Sequence, residues 1–454
     1  MAVRVQTDRR PLIERRPARI LFLAICLASA AARAEDAPPI VITDPSAKTY
    51  RAALQEFAPT SALGADQVAT EIGARIQTGL EYSGVFTMID KKAFLGPVRS
   101  EPLDSGTPEV CPNWRQIGTD ALIQGQVGVT GGEAQIEFRV LDVPRGCLRM
   151  VRKRYTAPRR DAARIGNAIA DDIVGLFTGQ PGVSDTEIAF VSNRSGAKEV
   201  YVMNADGGGV RAATSNRSIN SFPCWSPNGQ EIVYTSYRHG NRPYLFMLTR
   251  GRTSPGRILQ NLDSGAALYR GVYAPSGDRL ALVMSVDGAA EVFTVGTTGR
   301  DLSRLTRNRA IDIAPSWSPD GKRIAFVSDR AGSPQVYVMD RDGGDVRRLT
   351  FNGSYNTAPA WSPDGRWIAY ESRVGGQFDI WLIDPEGAES FPLVTHPRSD
   401  EHPTWAPDGR KLAFASTRRG RADIYQTDVN GENLRRLTEG AGDNTNPAWG
   451  PFRR

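Results

Sequence analysis

Short apolar runs recur along the C-terminal part of the chain at a nearly constant spacing. An aromatic residue ends one run of each set, at positions 225, 273, 317, 361, 405 and 449, so that the period is 44 residues with one interval of 48. A Ser-Pro-Asp-Gly turn, or a variant of it, follows the first five aromatics, as in Ser318-Pro319-Asp320-Gly321. Proline presets the second position of a β-turn and glycine suits the fourth. The pattern therefore predicts a structural repeat.

Each repeat contains four short runs with strand character. In one copy the turn is followed by Ile324–Phe326, then by Gln335–Val338, then by a turn at Gly343, and then by Val346–Thr350. The run that ends in the aromatic residue is the fourth. Four strands in about 44 residues are typical of one blade of a β-propeller.

The number of runs predicts a closed ring of six blades over residues 182–454. Three of the four runs first occur from near Thr186, without an aromatic run before them, and the last aromatic run has no set after it. The economical solution is that residues 446–449 complete the first blade, which hides two sheet edges that an open solenoid would expose. The innermost strands are then predicted at 222–225, 270–273, 314–317, 358–361, 402–405 and 446–449.

Residues 35–181 lack this repeat and predict a mixed α/β domain with an extended N-terminal segment. Apolar residues at helical spacing predict helices over 66–80 and 161–177. A short helix is expected near 114–117, and strands are expected at 85–90, 121–129, 135–143 and 147–155. The fold class is thus an α/β N-terminal domain followed by an all-β propeller closed by its C-terminal strand.

Residues 1–34 have the composition of a secretory signal peptide. They carry seven arginines and two acids, an apolar stretch over 20–31, and a small-x-small cleavage pattern that ends at Ala34. An uncleaved anchor is the alternative. The remainder has a net charge of only +1, which offers little attraction to nucleic acid. Export would also permit a disulfide between Cys111 and Cys147, although the sequence does not fix that pairing.

The composition weighs against most catalytic chemistries. Three His and four Cys are too few for a multi-histidine metal enzyme or a disulfide-built scaffold. Neither a Gly-x-Ser-x-Gly elbow nor a phosphate-binding loop is present. We expect no cofactor, and the alternative is an exported propeller hydrolase or an enzyme with a metal in the channel.

The loop that leads into each innermost strand is the candidate binding surface, at the propeller mouth. The residues five positions before the aromatics are, with one exception, Asn or Asp: Asn220, Leu268, Asp312, Asn356, Asp400 and Asn444. Their type suits turn chemistry, and a calcium ion held by several oxygens is an alternative. The residues beside them vary, as a site for a peptide or protein surface requires: Ser221, Tyr269, Arg270, Ile313, Thr357, Glu401, His402 and Thr445.

The repeats resemble the PD40 type of WD40-like repeat, and the order of segments is similar to that of the TolB family. This resemblance implies a non-enzymatic periplasmic component of the Tol–Pal system, which is peripheral to the envelope, monomeric and supports outer-membrane integrity and constriction at division. It implies binding of the lipoprotein Pal at the propeller mouth, and use of the same machinery by other outer-membrane lipoproteins or colicins. It also implies a TolA contact through the N-terminal segment, at Glu35, Asp36, Pro38, Ile40 and Val41.

Overall fold

A computed structural model describes residues 4–6, 49–61, 64–101, 103, 111–239, 242–252, 257–259, 266–286, 288–440 and 442–453. The chain divides into two compact units between Gly182 and Val183. The predicted N-terminal contact residues lie outside the described residues, as does the predicted leader apart from Arg4–Gln6. In the described part, no helix has the length and apolar character needed to cross a membrane.

The N-terminal unit is a mixed sheet with helices. Its elements are β1 (Arg4–Gln6), β2 (Tyr50–Leu54), β3 (Ala58–Pro59), α1 (Ala65–Tyr82), β4 (Phe86–Met88), a 3-10 turn (Lys91–Ala93), α2 (Cys111–Gln116), β5 (Ala121–Thr130), β6 (Glu133–Asp142), β7 (Leu148–Pro158), a second 3-10 turn (Arg159–Asp161) and α3 (Ala162–Thr178). The sheet order is β1-β7-β6-β5-β2-β4, and β3 pairs with β5. Strand β2, which the sequence analysis did not predict, runs parallel to both β4 and β5.

The two long helices pack against each other because their apolar residues recur every three to four positions. Helix α1 buries Val68, Ile72, Ile76 and Leu80, as its predicted spacing requires. The backbones of α1 and α3 approach each other closely at Gly166 of α3, where an added Cβ would lie 3.0 Å from the carbonyl oxygen of Ile72. Glycine therefore sets the spacing between these helices.

A disulfide joins Cys111 at the start of α2 to Cys147 before β7, with the Cα atoms 6.0 Å apart. It lies in a small apolar cluster with Trp114, Leu122 and Val143, separate from the main core between sheet and helices. The pairing that the sequence left open is thus present in the structure.

The C-terminal unit is a six-bladed propeller of four-stranded antiparallel sheets. Blade 1 contains β8 (Glu187–Ser192), β9 (Glu199–Asn204) and β10 (Arg211–Ala212). Blade 2 contains β11 (Asn220–Trp225), β12 (Glu231–His239), β13 (Arg242–Thr249) and β14 (Arg257–Ile258). Blade 3 contains β15 (Leu268–Tyr273), β16 (Arg279–Val286), β17 (Ala289–Gly296) and β18 (Ser303–Arg304).

The remaining blades repeat this order. Blade 4 contains β19 (Asp312–Trp317), β20 (Arg323–Ser328), β21 (Gln335–Asp340) and β22 (Arg347–Arg348). Blade 5 contains β23 (Asn356–Trp361), β24 (Ile368–Val374), β25 (Gln377–Ile383) and β26 (Ser390–Val394). Blade 6 contains β27 (Asp400–Trp405), β28 (Lys411–Ser416), β29 (Asp423–Asp428) and β30 (Arg435–Arg436), and the last strand of the chain is β31 (Asn444–Trp449).

Strand β31 closes the ring as predicted. It pairs antiparallel with β8 of blade 1, so that Trp449 lies opposite Ile188. The indole Nε1 of Trp449 donates a hydrogen bond to Thr186 Oγ1 at 2.9 Å. Beyond the strand, Arg453 forms ion pairs with Asp185 and Glu187. The innermost strands of neighbouring blades contact each other around the whole ring.

Candidate functional site: the propeller mouth

Every innermost strand contains a β-bulge near its start. In β11, for example, Ser221 pairs with Thr235 and Cys224 with Val233, so that Phe222 and Pro223 stand opposite a single residue. The first bulge residue has a positive φ in all six blades: Phe222 (50°), Arg270 (46°), Ala314 (57°), Ala358 (49°), His402 (57°) and Asn446 (48°). Residues other than glycine are uncommon in this conformation, and bulges redirect side chains. We call these six residues the bulge ring.

The larger side chains of the bulge ring meet at the propeller axis. The rings of Phe222 and His402 have centroids 6.4 Å apart, although they belong to blades 2 and 6, which are not neighbours. The guanidinium carbon of Arg270 lies 5.2 Å from the centroid of the Phe222 ring. Ala314 and Ala358 occupy the same position in blades 4 and 5. The channel is therefore filled on one side by Phe222, Arg270 and His402, and lined by small residues on the other.

The predicted Asn and Asp positions are fully buried and bonded within the propeller. The amide of Asn220 in blade 2 donates to the Lys198 carbonyl and the Glu199 carboxylate of blade 1. Asn356 and Asn444 donate in the same way to Gln335 and Asp423 of the preceding blade. These side chains thus hold neighbouring blades together, and their assignment to a partner contact stays a prediction.

Arginine side chains neutralise the two aspartates of this set. Both carboxylate oxygens of Asp312 accept from Arg330 at 3.0–3.2 Å. Both oxygens of Asp400 accept from Arg418 at 2.9–3.1 Å. Within the described residues, no group of three or more His, Cys, Asp or Glu side chains is placed to hold a metal ion.

The variable residues predicted for the mouth lie at its rim. Directly after the buried position come Ser221, Tyr269, Ile313, Thr357, Glu401 and Thr445, and each is partly exposed. Arg270 and His402 follow in the bulge ring and are also partly exposed. The structure therefore brings all the predicted variable residues to one end of the channel. Whether a partner contacts them stays a prediction.

Glu371 is a buried acid in the channel wall that the sequence analysis missed. It lies ten residues after Trp361, where the other blades carry Val191, Thr235, Val283, Val327 and Ala415. Its Oε1 accepts the backbone N–H of His402 at 2.6 Å. Burial raises the pKa of Glu371 to about 7, against a smaller opposing effect of that hydrogen bond and of Arg270. An alignment of the repeats by their aromatic residues would have revealed it, because Glu371 is the one charged residue at a position that is otherwise Val, Ala or Thr.

His402 is held neutral beside two carboxyl groups. Its Nδ1 lies 3.7 Å from Glu371 and 4.0 Å from Glu401. This nitrogen atom is buried and has no hydrogen-bond partner among the described residues, although the residue as a whole is partly exposed. Burial, and then the charge of Arg270, lower the pKa of His402 to about 4. Burial and the nearby Glu371 raise the pKa of Glu401. The site is therefore a compact set of ionisable groups, each of which shifts the pKa of a neighbour.

A cavity of about 400 Å³ opens at the mouth beside this cluster, between blades 3 and 4. Its lining includes three residues of the bulge ring, Phe222, Arg270 and Ala314, and the rim residues Tyr269 and Ile313. The remaining lining residues are Val283, Ser285, Gly288, Ala290 and Ile311. Its volume lies in the range of sites that accept a small molecule or a few side chains.

Comparison with known proteins gives matches along most of the chain. The TolB beta propeller domain model matches residues 176–453, and the TolB amino-terminal domain model matches residues 38–148. The Tol-Pal system protein TolB of Anaeromyxobacter dehalogenans strain 2CP-C is 35% identical over 308 residues, which cover 67% of this chain and 68% of that protein. The protein of the same name from Desulfosudis oleivorans is 35% identical over 233 residues, or 50% and 51% of the two chains.

A solved structure shares the fold. The crystal structure of TolB from Acinetobacter baumannii matches with a TM-score of 0.74 at 23% identity, and the match covers 89% of this chain and 98% of that one. The repeats, the ring closure and the mouth define a six-bladed propeller of the PD40 type that follows an α/β unit. The two family models that match the chain identify the family more narrowly. The chain belongs to the TolB family, whose members are components of the Tol-Pal system.

Proposed function

We propose that this protein is a non-enzymatic periplasmic scaffold that binds the lipoprotein Pal at the propeller mouth and TolA through residues 35–46. In this role it links envelope layers and supports outer-membrane integrity and constriction during division. The observation that carries the proposal is the mouth itself, where variable, partly exposed side chains surround a cavity on rigid blades. Such a mixture of aromatic, arginine and apolar groups is typical of protein-binding surfaces.

The proposal assigns different partners to different parts of the chain, so the two contacts are tested separately. Cross-linking and mass spectrometry in the native envelope would compare the wild type, Tyr269→Ala with Arg270→Glu, and a chain without residues 35–46. We expect the double variant to lose most Pal cross-links and keep those to TolA. The deletion should show the reverse.

Folding of each variant, measured by thermal unfolding, is the control for this experiment. Unchanged Pal capture by a folded double variant would remove Tyr269 and Arg270 from the contact. Unchanged partners in the deletion would contradict the role of the N-terminal segment. Turnover of ester, peptide or lactone substrates that a channel variant abolishes would favour an enzyme instead.

A further inference from the structure

We infer that the mouth cavity is a subsite for an extended segment of the partner that places an apolar side chain in the cavity and a neighbouring carboxylate on Arg270. This inference rests on the proposed function, because it names the chemistry by which the mouth would recognise its protein partner. Four observations carry it: the apolar lining, the arginine without an ion pair among the described residues, the nearby acids that are already engaged, and the single charge in the described lining.

The walls of the cavity suit an apolar side chain. Tyr269, Ile313 and Ile311 face it from blades 3 and 4, and Val283 and Ala290 contribute from β16 and β17. Ile311 is half exposed, at 50%. Burying such surface under a partner side chain would release water from apolar area, which is favourable.

The arginine that lines the cavity, Arg270, has no side-chain hydrogen-bond acceptor among the described residues. The Arg270 backbone N–H donates to Thr235 Oγ1 at 3.0 Å, whereas its guanidinium lies over the Phe222 ring and is attracted by Glu371 without an ion pair among the described residues. Two arginines of other blades differ from it, since Arg330 after β20 in blade 4 and Arg418 after β28 in blade 6 each bind an aspartate. Burial lowers the pKa of Arg270 against a smaller opposing attraction by Glu371, so a ligand anion would add to the compensation of its charge.

The nearby acids are already engaged. Glu371 attracts Arg270 but accepts the His402 N–H, and its raised pKa leaves it only partly ionised near pH 7. Glu401 lies beside His402 on blade 6. Neither carboxylate therefore removes the need for an anion at Arg270.

The occupant is a carboxylate on a peptide rather than a phosphate. Arg270 is the one charged side chain in the described lining of the cavity. Phosphate sites in proteins combine several donors or cations, whereas one guanidinium matches one carboxylate in bidentate geometry. The apolar walls beside it then require an apolar group next to the acid.

A double-mutant cycle with Pal tests this inference. The probe is the purified globular domain of Pal from the same bacterium, titrated calorimetrically into full-length mature protein. Arg270→Gln should raise the Kd at least tenfold. One Asp or Glu of Pal, changed to its amide, should raise the Kd equally, and combining both changes should add little.

The apolar half of the subsite has a matched pair of variants. Ile311 lines the cavity, while Ile219 holds the equivalent place before Asn220 in blade 2, is 51% exposed and is absent from the lining. Ile311→Asp should raise the Kd at least tenfold and Ile219→Asp less than threefold. Arg419→Gln, which removes an exposed cation from a turn on the same face, controls for general attraction of charge.

The outcomes separate the inference from the function. Pal that binds the wild type but shows no carboxylate coupled to Arg270, or equal effects of the two isoleucine variants, overturns the subsite and leaves the scaffold role intact. Absence of wild-type binding overturns both. Should Arg270→Gln fail to fold, Arg270→Lys and the isoleucine pair decide the same question.

Discussion

Burial of the Glu371 carboxyl group links proton binding to folding. The group has a pKa of about 7 in the folded protein and an ordinary value of 4.5. The folded state thus holds its proton more tightly, and the stability that this provides is complete below pH 4.5 and lost as the pH rises through 7. His402 acts in the opposite direction, because its pKa falls from 6.5 to about 4. The two effects oppose each other between pH 4.5 and 6.5.

Comparison with Glu371→Gln isolates the contribution of the acid. Glutamine keeps an oxygen that can accept the His402 N–H but does not ionise. We expect the variant to gain about 2 to 3 kcal/mol of unfolding free energy relative to the wild type between pH 5 and pH 8. Urea denaturation at both pH values measures this gain. A difference that does not change with pH would contradict the raised pKa.

Among the elements, α2 depends most on covalent support. It has six residues, too few to be stable by itself, and the Cys111–Cys147 disulfide ties it to the start of β7. The sequence separation of the two cysteines is 36 residues. Closing a loop of this length restricts the unfolded chain considerably.

Replacing both cysteines by serine should therefore destabilise the N-terminal unit by about 4 kcal/mol. Chemical denaturation of Cys111→Ser with Cys147→Ser measures this loss. Cys224→Ser is the control, since Cys224 is a free thiol in β11. Equal effects of the two changes, or none from the pair, would mean that the disulfide does not support this unit.

The sequence predicts most elements, and the exceptions have physical causes. Helices α1 and α3 and strands β5, β6 and β7 fall within a few residues of prediction because their apolar spacing is regular. Strand β2 was missed because only five residues form it and its parallel neighbours lie far away in sequence. The innermost strands begin two residues earlier than predicted, at the buried Asn or Asp in five blades and at Leu268 in blade 3.

The site was only partly predictable for a related reason. The repeat shows which positions vary, and on that ground the sequence analysis proposes Arg270 and His402 for the mouth. The bulge that turns Phe222 toward them arises from pairing geometry, which has no local sequence signal. The contacts of the bulge ring therefore required the structure.

At the scale of the whole molecule, the propeller is held together by its last strand. Strand β31 supplies the fourth strand of blade 1 and contacts blades 2 and 6. Without it, the edge of β8 would be unpaired, and its buried residues, among them Ile188 and Phe190, would be exposed.

A chain that ends at Gly440 should therefore aggregate or lose cooperative unfolding. One that ends at Pro451 keeps β31 but lacks Arg453 and should fold with lower stability. Size-exclusion chromatography and thermal circular dichroism distinguish these results. A monomeric, cooperatively folding chain without β31 would show that closure is dispensable.

The bulge ring also has a consequence for how the sequence of such a protein can evolve. The left-handed backbone recurs with Phe, Arg, Ala, His and Asn, so the ladder on either side, rather than the side chain, imposes it. A different side chain can therefore be substituted at each of the six positions without a change in the sheets that carry it. We expect relatives that bind different partners to differ at these six positions first. A library of variants randomised at these positions alone would then yield new binding specificities on an unchanged propeller.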